Sequence, residues 1–364
     1  MSRFEPTGVE RDFRSSQIGF PDFDISWAGL ARPWREGFCF GSEDGRIKFA
    51  EFDSPEGPDP IVVVESREAI NGVAFSGDMM AVSTRGEVVF WHASDSSTEG
   101  YESRTFAAGA HGVTVTPMGT FVAPLGIDGL LIKNPKSFDR LATTRIRPRG
   151  RTTYIYKLVS VRSTSNPDGE LLVCAARRDG VAIVFTELNG PPGYLNTLRS
   201  PGNDIVDVCN IGAIEAPSAV AAIGKDCSLH LIRDAFFPGK PPTLRFNGMI
   251  GAAYRILSAH GHIFLLTSRM LYAFPGLASR FLKSERLDGY TTAWALPFEA
   301  VDANIAGDRL LVVMPDHVTS MPIRDLVPEE SWLAPSNGAS RLPTTFETLP
   351  WEVCPSTPLE YAMT

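Results

Sequence analysis

No stretch of this 364-residue chain approaches the roughly 18 uncharged apolar residues that a membrane-spanning helix requires. Its opening, MSRFEPTGVERDFR, mixes charges where a secretory leader would need an apolar core, so a cytoplasmic protein is expected. Paired cysteine is missing as well. Cys39, Cys174, Cys209, Cys227 and Cys354 are odd in number and none forms a Cys-x-x-Cys spacing, which argues against a disulfide framework. They read as reduced thiols of the core or the tail. The chain also lacks a Gly-x-x-x-x-Gly-Lys-Ser/Thr loop, a Gly-x-Gly-x-x-Gly turn after a strand, His-Glu-x-x-His and Gly-x-Ser-x-Gly, so nucleotide hydrolysis and esterase chemistry lose their usual supports. Of six histidines only His260 and His262 stand close together. Without a third ligand they read as solvated turn residues, and neither a metal nor a cofactor is expected. Basic charge is in deficit, 34 residues against 42 acidic, and the net −8 opposes whole-surface binding to nucleic acid or anionic membrane.

What the chain does have is β-hairpins. In FCFGSEDGRIKFAEF, residues 38 to 52, two apolar runs flank Asp44-Gly45, and Ile47 and Phe49 alternate with Arg46 and Lys48. The pattern recurs at 79–91, 120–134, 171–185, 219–232, 263–274 and 310–323. Taking Gly45, Gly86, Gly129, Gly180, Cys227, Arg269 and Asp316 as equivalent turn positions, the intervals are 41, 43, 51, 47, 42 and 47 residues. Each hairpin follows a further strand-like run, at 25–31, 71–76, 111–116, 156–161, 206–211, 254–259 and 301–306. Most precede a more polar run, at 60–65, 102–107, 139–144, 242–247 and 280–285. Four strands per unit, apolar inside and polar outside, suit sheets stacked radially about an axis.

On these repeats the chain resembles a seven-bladed β-propeller of the WD-repeat type across 24–325, an all-β fold of four-stranded antiparallel blades. It departs from the family pattern: no unit ends in Trp-Asp, the nearest dipeptide being Phe90-Trp91, and the opening Gly-His pair appears only reversed as His111-Gly112. A closed ring also needs a fastening, and residues 1–23 are expected to complete the last blade through 15–23, beside 317–323. The resemblance implies a scaffold for protein partners rather than an enzyme, as a subunit of a larger assembly.

Aligning the inner strands on their apolar positions gives a column of Ser26, Gly72, Gly112, Lys157, Asp207, Arg255 and Asp302. Lys157, Asp207, Arg255 and Asp302 alternate in sign, and in a WD-like propeller they would ring the mouth of the central channel. Mutual pairing is the first expectation, because unpaired buried charge is costly. The alternative is a hydrolase or lactonase-type enzyme using Asp207 and Asp302 as general base or metal ligands.

Two further segments are candidate partner sites. Residues 138–178 carry nine basic against three acidic residues, and RIRPRGR at 145–151 presents Arg145, Arg147, Arg149 and Arg151 between two units. Such arginines suit the carboxylates of an acidic protein, with nucleic acid the weaker alternative because aromatic interleaving stops at Tyr154 and Tyr156. Residues 326–364 are Pro-rich and acidic, with Trp332, Trp351 and Tyr361 as groups worth burying. This tail is either a strap over its own propeller or a docking element, and docking is the narrower preference.

Overall fold

A computed structural model of the chain describes residues 16–20, 22–31, 37–50, 61–62, 67–94, 97–106, 109–133, 141–144, 154–162, 169–187, 193–199, 204–213, 216–235, 243–246, 251–287, 290–296, 299–327, 340–347, 352–355 and 361–362. They form antiparallel strands and two short helices.

After β1 (Ser16–Ile18) the first meander is β2 (Ile25–Leu30), β3 (Phe38–Ser42), β4 (Arg46–Ala50) and β5 (Ile61–Val62). The second is β6 (Gly72–Ser76), β7 (Met79–Ser83), β8 (Glu87–Ser94) and β9 (Ser97–Phe106). In the third, β10 (Thr114–Val115), β11 (Phe121–Pro124), β12 (Leu130–Lys133) and β13 (Leu141–Thr144) follow one another. The fourth comprises β14 (Lys157–Arg162), β15 (Gly169–Ala175), β16 (Val181–Glu187) and β17 (Gly193–Arg199). The fifth runs through β18 (Ile205–Asn210), β19 (Val220–Gly224), β20 (Leu229–Ile232) and β21 (Thr243–Phe246). Next come β22 (Ala253–Ala259), β23 (His262–Thr267), β24 (Met270–Phe274), α1 (Leu277–Leu282) and β25 (Tyr290–Ala295). The last meander is β26 (Asp302–Ala306), β27 (Arg309–Val313) and β28 (Val318–Pro322), closed by α2 (Ile323–Leu326).

All seven hairpins fall on paired strands, because apolar β-formers on both sides of a turn bury two faces at once. Outer strands are less regular. The run 280–285 is not a strand: Leu277, Ala278 and Phe281 are buried at helical spacing on α1, after Gly276 at φ 64°, and β25 supplies the fourth strand instead.

Seven apolar clusters join consecutive meanders. Trp27, Ile47 and Phe49 meet Val73, Met80 and Val82 between the first and second. At the other end Leu311, Val313 and Val318 of the last meander pack on Ile25, Ala28 and Phe40 of the first. The ring is therefore closed by burial, each sheet covered on both faces by its neighbours. Backbone pairing adds a fastening, since β1 lies antiparallel to β28 with Gln17 opposite Thr319.

The C-terminal segment is paired within the chain. In β29 (Ser340–Glu347) residues 340–343 lie along β25 and residues 344–347 along β21, so one strand joins the outer edges of two meanders. Pro343 sits where the ladder changes partner, a point at which a missing N–H is tolerated. β30 (Glu352–Pro355) then adds to β17, and β31 (Tyr361–Ala362) to β13.

Candidate functional site

The inner strands converge on a central cavity of about 230 Å³. Trp27, Gly72, Gly112, Lys157, Arg255 and Asp302 line it from six different meanders, together with Asn71, His111 and Asn304. Three inner strands reach this point through a register shift, between Ile25 and Trp27, Ile205 and Asp207, and Ala253 and Arg255. A bulge adds one residue and re-aims the side chain that follows. In the first meander the aligned residue is consequently Trp27, not Ser26, whose hydroxyl donates instead to the Ile70 carbonyl at 2.8 Å. Of the other six members of the expected column, five line the cavity.

Asp207 is the sixth, and it stands behind the wall. Only 1% exposed, it accepts from the backbone N–H groups of Val208 and Ile256, both at 2.9 Å, and faces Arg255 Nη1 at 3.4 Å. Arg255 is the hub of the network. Its Nε donates to the Ala303 carbonyl at 2.9 Å and lies 3.2 Å from Asp302 Oδ1, while Nη2 donates to Asn304 Oδ1 at 2.8 Å. Asn304 Nδ2 in turn donates to the Ala28 carbonyl at 2.7 Å, linking the last meander to the first. One guanidinium thus ties together the fifth, sixth and seventh inner strands.

Burial pushes the Asp207 carboxyl upward, and Arg255 and then Lys157 pull it back. The Arg255 guanidinium loses stability through burial, but Asp302 and Asp207 outweigh that and hold it charged. Lys157 is different. Burial and then Arg255 lower the pKa of its ammonium, against the pull of Asp302 and Asp207, and it makes no hydrogen bond or close ion pair with any described residue. Two glycines line the same cavity. A Cβ on Gly72 would fall 2.6 Å from the Val113 nitrogen, and Gly112, at φ 117°, would place one 3.8 Å from Lys157 Nζ.

Around His111 in the cavity wall lies a group absent from the expected column. His111 shares a hydrogen bond with the Tyr154 hydroxyl at 2.5 Å, and its ring packs on Tyr156. The Arg177 guanidinium covers both tyrosines, at 4.8 and 5.1 Å from their centroids. Burial first, then the charges of Lys157, Arg177 and Arg85, lower the His111 pKa to about 4 and keep its imidazole neutral at pH 7.

This arrangement bears on the hydrolase alternative. A general base or metal ligand needs an oxygen that a substrate or ion can reach. Asp207 does not line this cavity and both its oxygens are occupied, and among the described residues no cluster of three or more His, Cys, Asp or Glu could hold a metal ion. His262 is half-buried, its Nδ1 accepting from the Gly276 N–H at 2.8 Å, while His260 occupies the turn at φ 51°. Cys39, Cys174, Cys209 and Cys227 are buried and free. Arg145, Arg147, Arg149, Arg151, Trp332 and Trp351 lie outside the described residues, and of Tyr361 only the backbone is described, paired with Thr144.

No family model matches the chain, and no curated protein matches it. Among solved structures it is similar to the WD40 β-propeller domain of Doa1, with a TM-score of 0.57 over 84% of this chain and 95% of that one. The fold is a WD40-like β-propeller. Sequence identity to that domain is 12%, so the propeller is held in common through its sheet architecture rather than through shared motifs. The missing motifs have local substitutes. In the fifth blade Ser228 Oγ donates to Asp226 at 2.6 Å and contacts His230 Nε2 at 3.1 Å, while His230 Nδ1 meets the Thr243 hydroxyl at 2.8 Å. Ser228, His230 and Thr243 are buried and Asp226 is exposed, so the chain pins the β19–β20 turn to strands β20 and β21. No helix among the described residues is long and apolar enough to cross a membrane.

Proposed function

We propose that this propeller is a non-catalytic scaffold for protein–protein interaction, a cytoplasmic subunit of a larger assembly built on seven blades. The observation that carries the reading is the Arg255 network. Three of the four charged side chains at the channel mouth are bound to one another and to strand backbone, which makes a rigid rim and leaves the Asp207 carboxylate little freedom for turnover. A preorganised surface loses little entropy when a partner docks. Four buried free thiols fit a reducing compartment. The basic loop at 145–151 is a second surface, suited to an acidic protein more than to nucleic acid, and the C-terminal segment acts as the strap of the ring.

The test is purification of the tagged full-length chain from its native cells, followed by size-exclusion chromatography and mass spectrometry. A stoichiometric protein partner and an apparent mass well above 39.6 kDa are expected. Elution as a lone 39.6 kDa species at physiological salt would overturn the assignment.

A further inference from the structure

Building on the scaffold reading, we infer that the central cavity is a receptor for one carboxylate side chain of an acidic segment on the protein partner, with the Lys157 ammonium as its anchor. Lys157 reaches the cavity with three donors and no described acceptor, although two aspartates share its surroundings. Those aspartates are already engaged. Asp207 is saturated by Val208, Ile256 and Arg255, and Asp302 gives Oδ1 to Arg255 and to the Ala303 N–H at 2.8 Å. An acceptor from outside can therefore take the ammonium without breaking a native bond.

Charge and size select the ligand class. Lys157, Arg255, Asp207 and Asp302 sum to zero, so the interior tolerates a single added negative charge beside Asp302 better than a phosphate dianion. A cavity of about 230 Å³ holds a side chain rather than a folded element. Asp302 Oδ2 makes no bond to a described residue and is placed to accept a backbone N–H of the incoming segment. The charges of Arg177 and Arg85 bear on His111, a lining residue whose neutral ring adds no repulsion to cations and no charge of its own. Arg177 is stacked on two tyrosines and thereby preorganised, so further carboxylates of the same segment would meet a fixed positive rim. Polyanionic nucleic acid faces a chain of net −8, which repels it at long range.

The probe is an acetylated and amidated pentapeptide, Gly-Ala-Glu-Ala-Gly, titrated into the full chain while the Trp27 indole N–H is followed by nuclear magnetic resonance. Saturable shifts are expected with a dissociation constant on the order of 1 mM, the range open to a single side chain. The Gln and phosphoserine versions of the peptide should bind at least about fivefold more weakly, and Lys157→Gln should weaken the Glu peptide about tenfold. Arg177→Ala, at an exposed position, should weaken a peptide with three consecutive glutamates more than the single-Glu probe and reduce its salt dependence. Equal binding of the Glu and Gln peptides, tighter binding of phosphoserine, or full binding by a folded Lys157→Gln protein would each overturn the proposal. If Lys157→Gln fails to fold, the Glu, Gln and phosphoserine series on the native chain decides alone. A stoichiometric partner that still co-purifies when the peptides fail would leave the scaffold reading intact and remove only this pocket.

Discussion

Replacing Asp207 with alanine tests whether the channel-mouth charges act as one unit. The substitution strips acceptors from the Val208 and Ile256 N–H groups, and each unmet buried donor costs about 1 to 3 kcal/mol. Arg255 keeps Asp302, the Ala303 carbonyl and Asn304, so it is not left as a bare charge. The loss should accordingly be about 2 to 4 kcal/mol, below the upper end for a broken buried pair. Arg255→Met is expected to cost about 3 to 5 kcal/mol, because it strands both aspartates and Asn304 at once. Both changes remove the same contact, so the double variant should lose less than the sum by about 1 to 2 kcal/mol. Sign matters for pH. With its pKa raised by burial, Asp207 contributes most below its unfolded value and loses that contribution as pH rises through the folded one. Arg255→Met removes the main opposing charge, so its destabilisation should shrink as pH falls from 7. Urea denaturation followed by both tryptophan fluorescence and circular dichroism measures all four corners of the cycle. Additivity within about 0.5 kcal/mol would show the residues to be independent and would refute the network.

Truncation after Gly338 removes β29, β30 and β31 from the edges of four blades, and should lower Tm by more than about 5 °C, whereas unchanged melting would mean that the strap carries no stability. His111 should titrate near pH 4 by proton resonance. Its depressed pKa makes folding stability fall as pH drops from about 6.5 toward 4, by about 1 to 2 kcal/mol after allowance for its half-exposed ring, and His111→Phe should flatten that slope. Glu170, 2% exposed, has its pKa raised by burial, with Thr116 and the Met118 N–H opposing; its contribution is lost as pH rises, so Glu170→Gln should gain stability relative to the native chain between pH 4 and 7. Cys39, Cys174, Cys209 and Cys227 should resist Ellman's reagent until the chain unfolds, and rapid labelling of any of them at neutral pH would contradict their burial.

The hairpins were legible because each is a local object: two apolar runs and a turn specify one another within fifteen residues, and every one of the seven lies on paired strands. Outer strands were less legible. A polar edge strand and a short amphipathic helix share the same composition, and in RFLKSE only the preceding Leu277-Ala278, combined with Phe281, shows the helical face. Neither could the tail's pairing be read from its own residues. β29 finds its partners in β25 and β21, and nothing within Ser340–Glu347 names either of them.

The site divides along the same line, between what a strand carries and what a ring assembles. Lys157, Arg255 and Asp302 could be placed at the mouth because period-two alternation fixes which face a residue takes once the register is known. Trp27 could not, because the bulge after Ile25 moves the aligned position by one residue, and ISWAGL reads equally well either way. The same shift falls at Val206 and Tyr254, immediately ahead of Asp207 and Arg255. His111, Tyr154, Tyr156 and Arg177 come from two blades and meet only when the third packs on the fourth. Their one local hint is ARRDG, where Arg177 takes a left-handed φ of 48° at the start of the β15–β16 turn. A non-glycine residue in that region points its side chain where an extended backbone would not, and here it points onto Tyr154 and Tyr156. Whether that guanidinium helps to hold a ligand or only the tyrosines is the distinction that the three-glutamate peptide makes with Arg177→Ala.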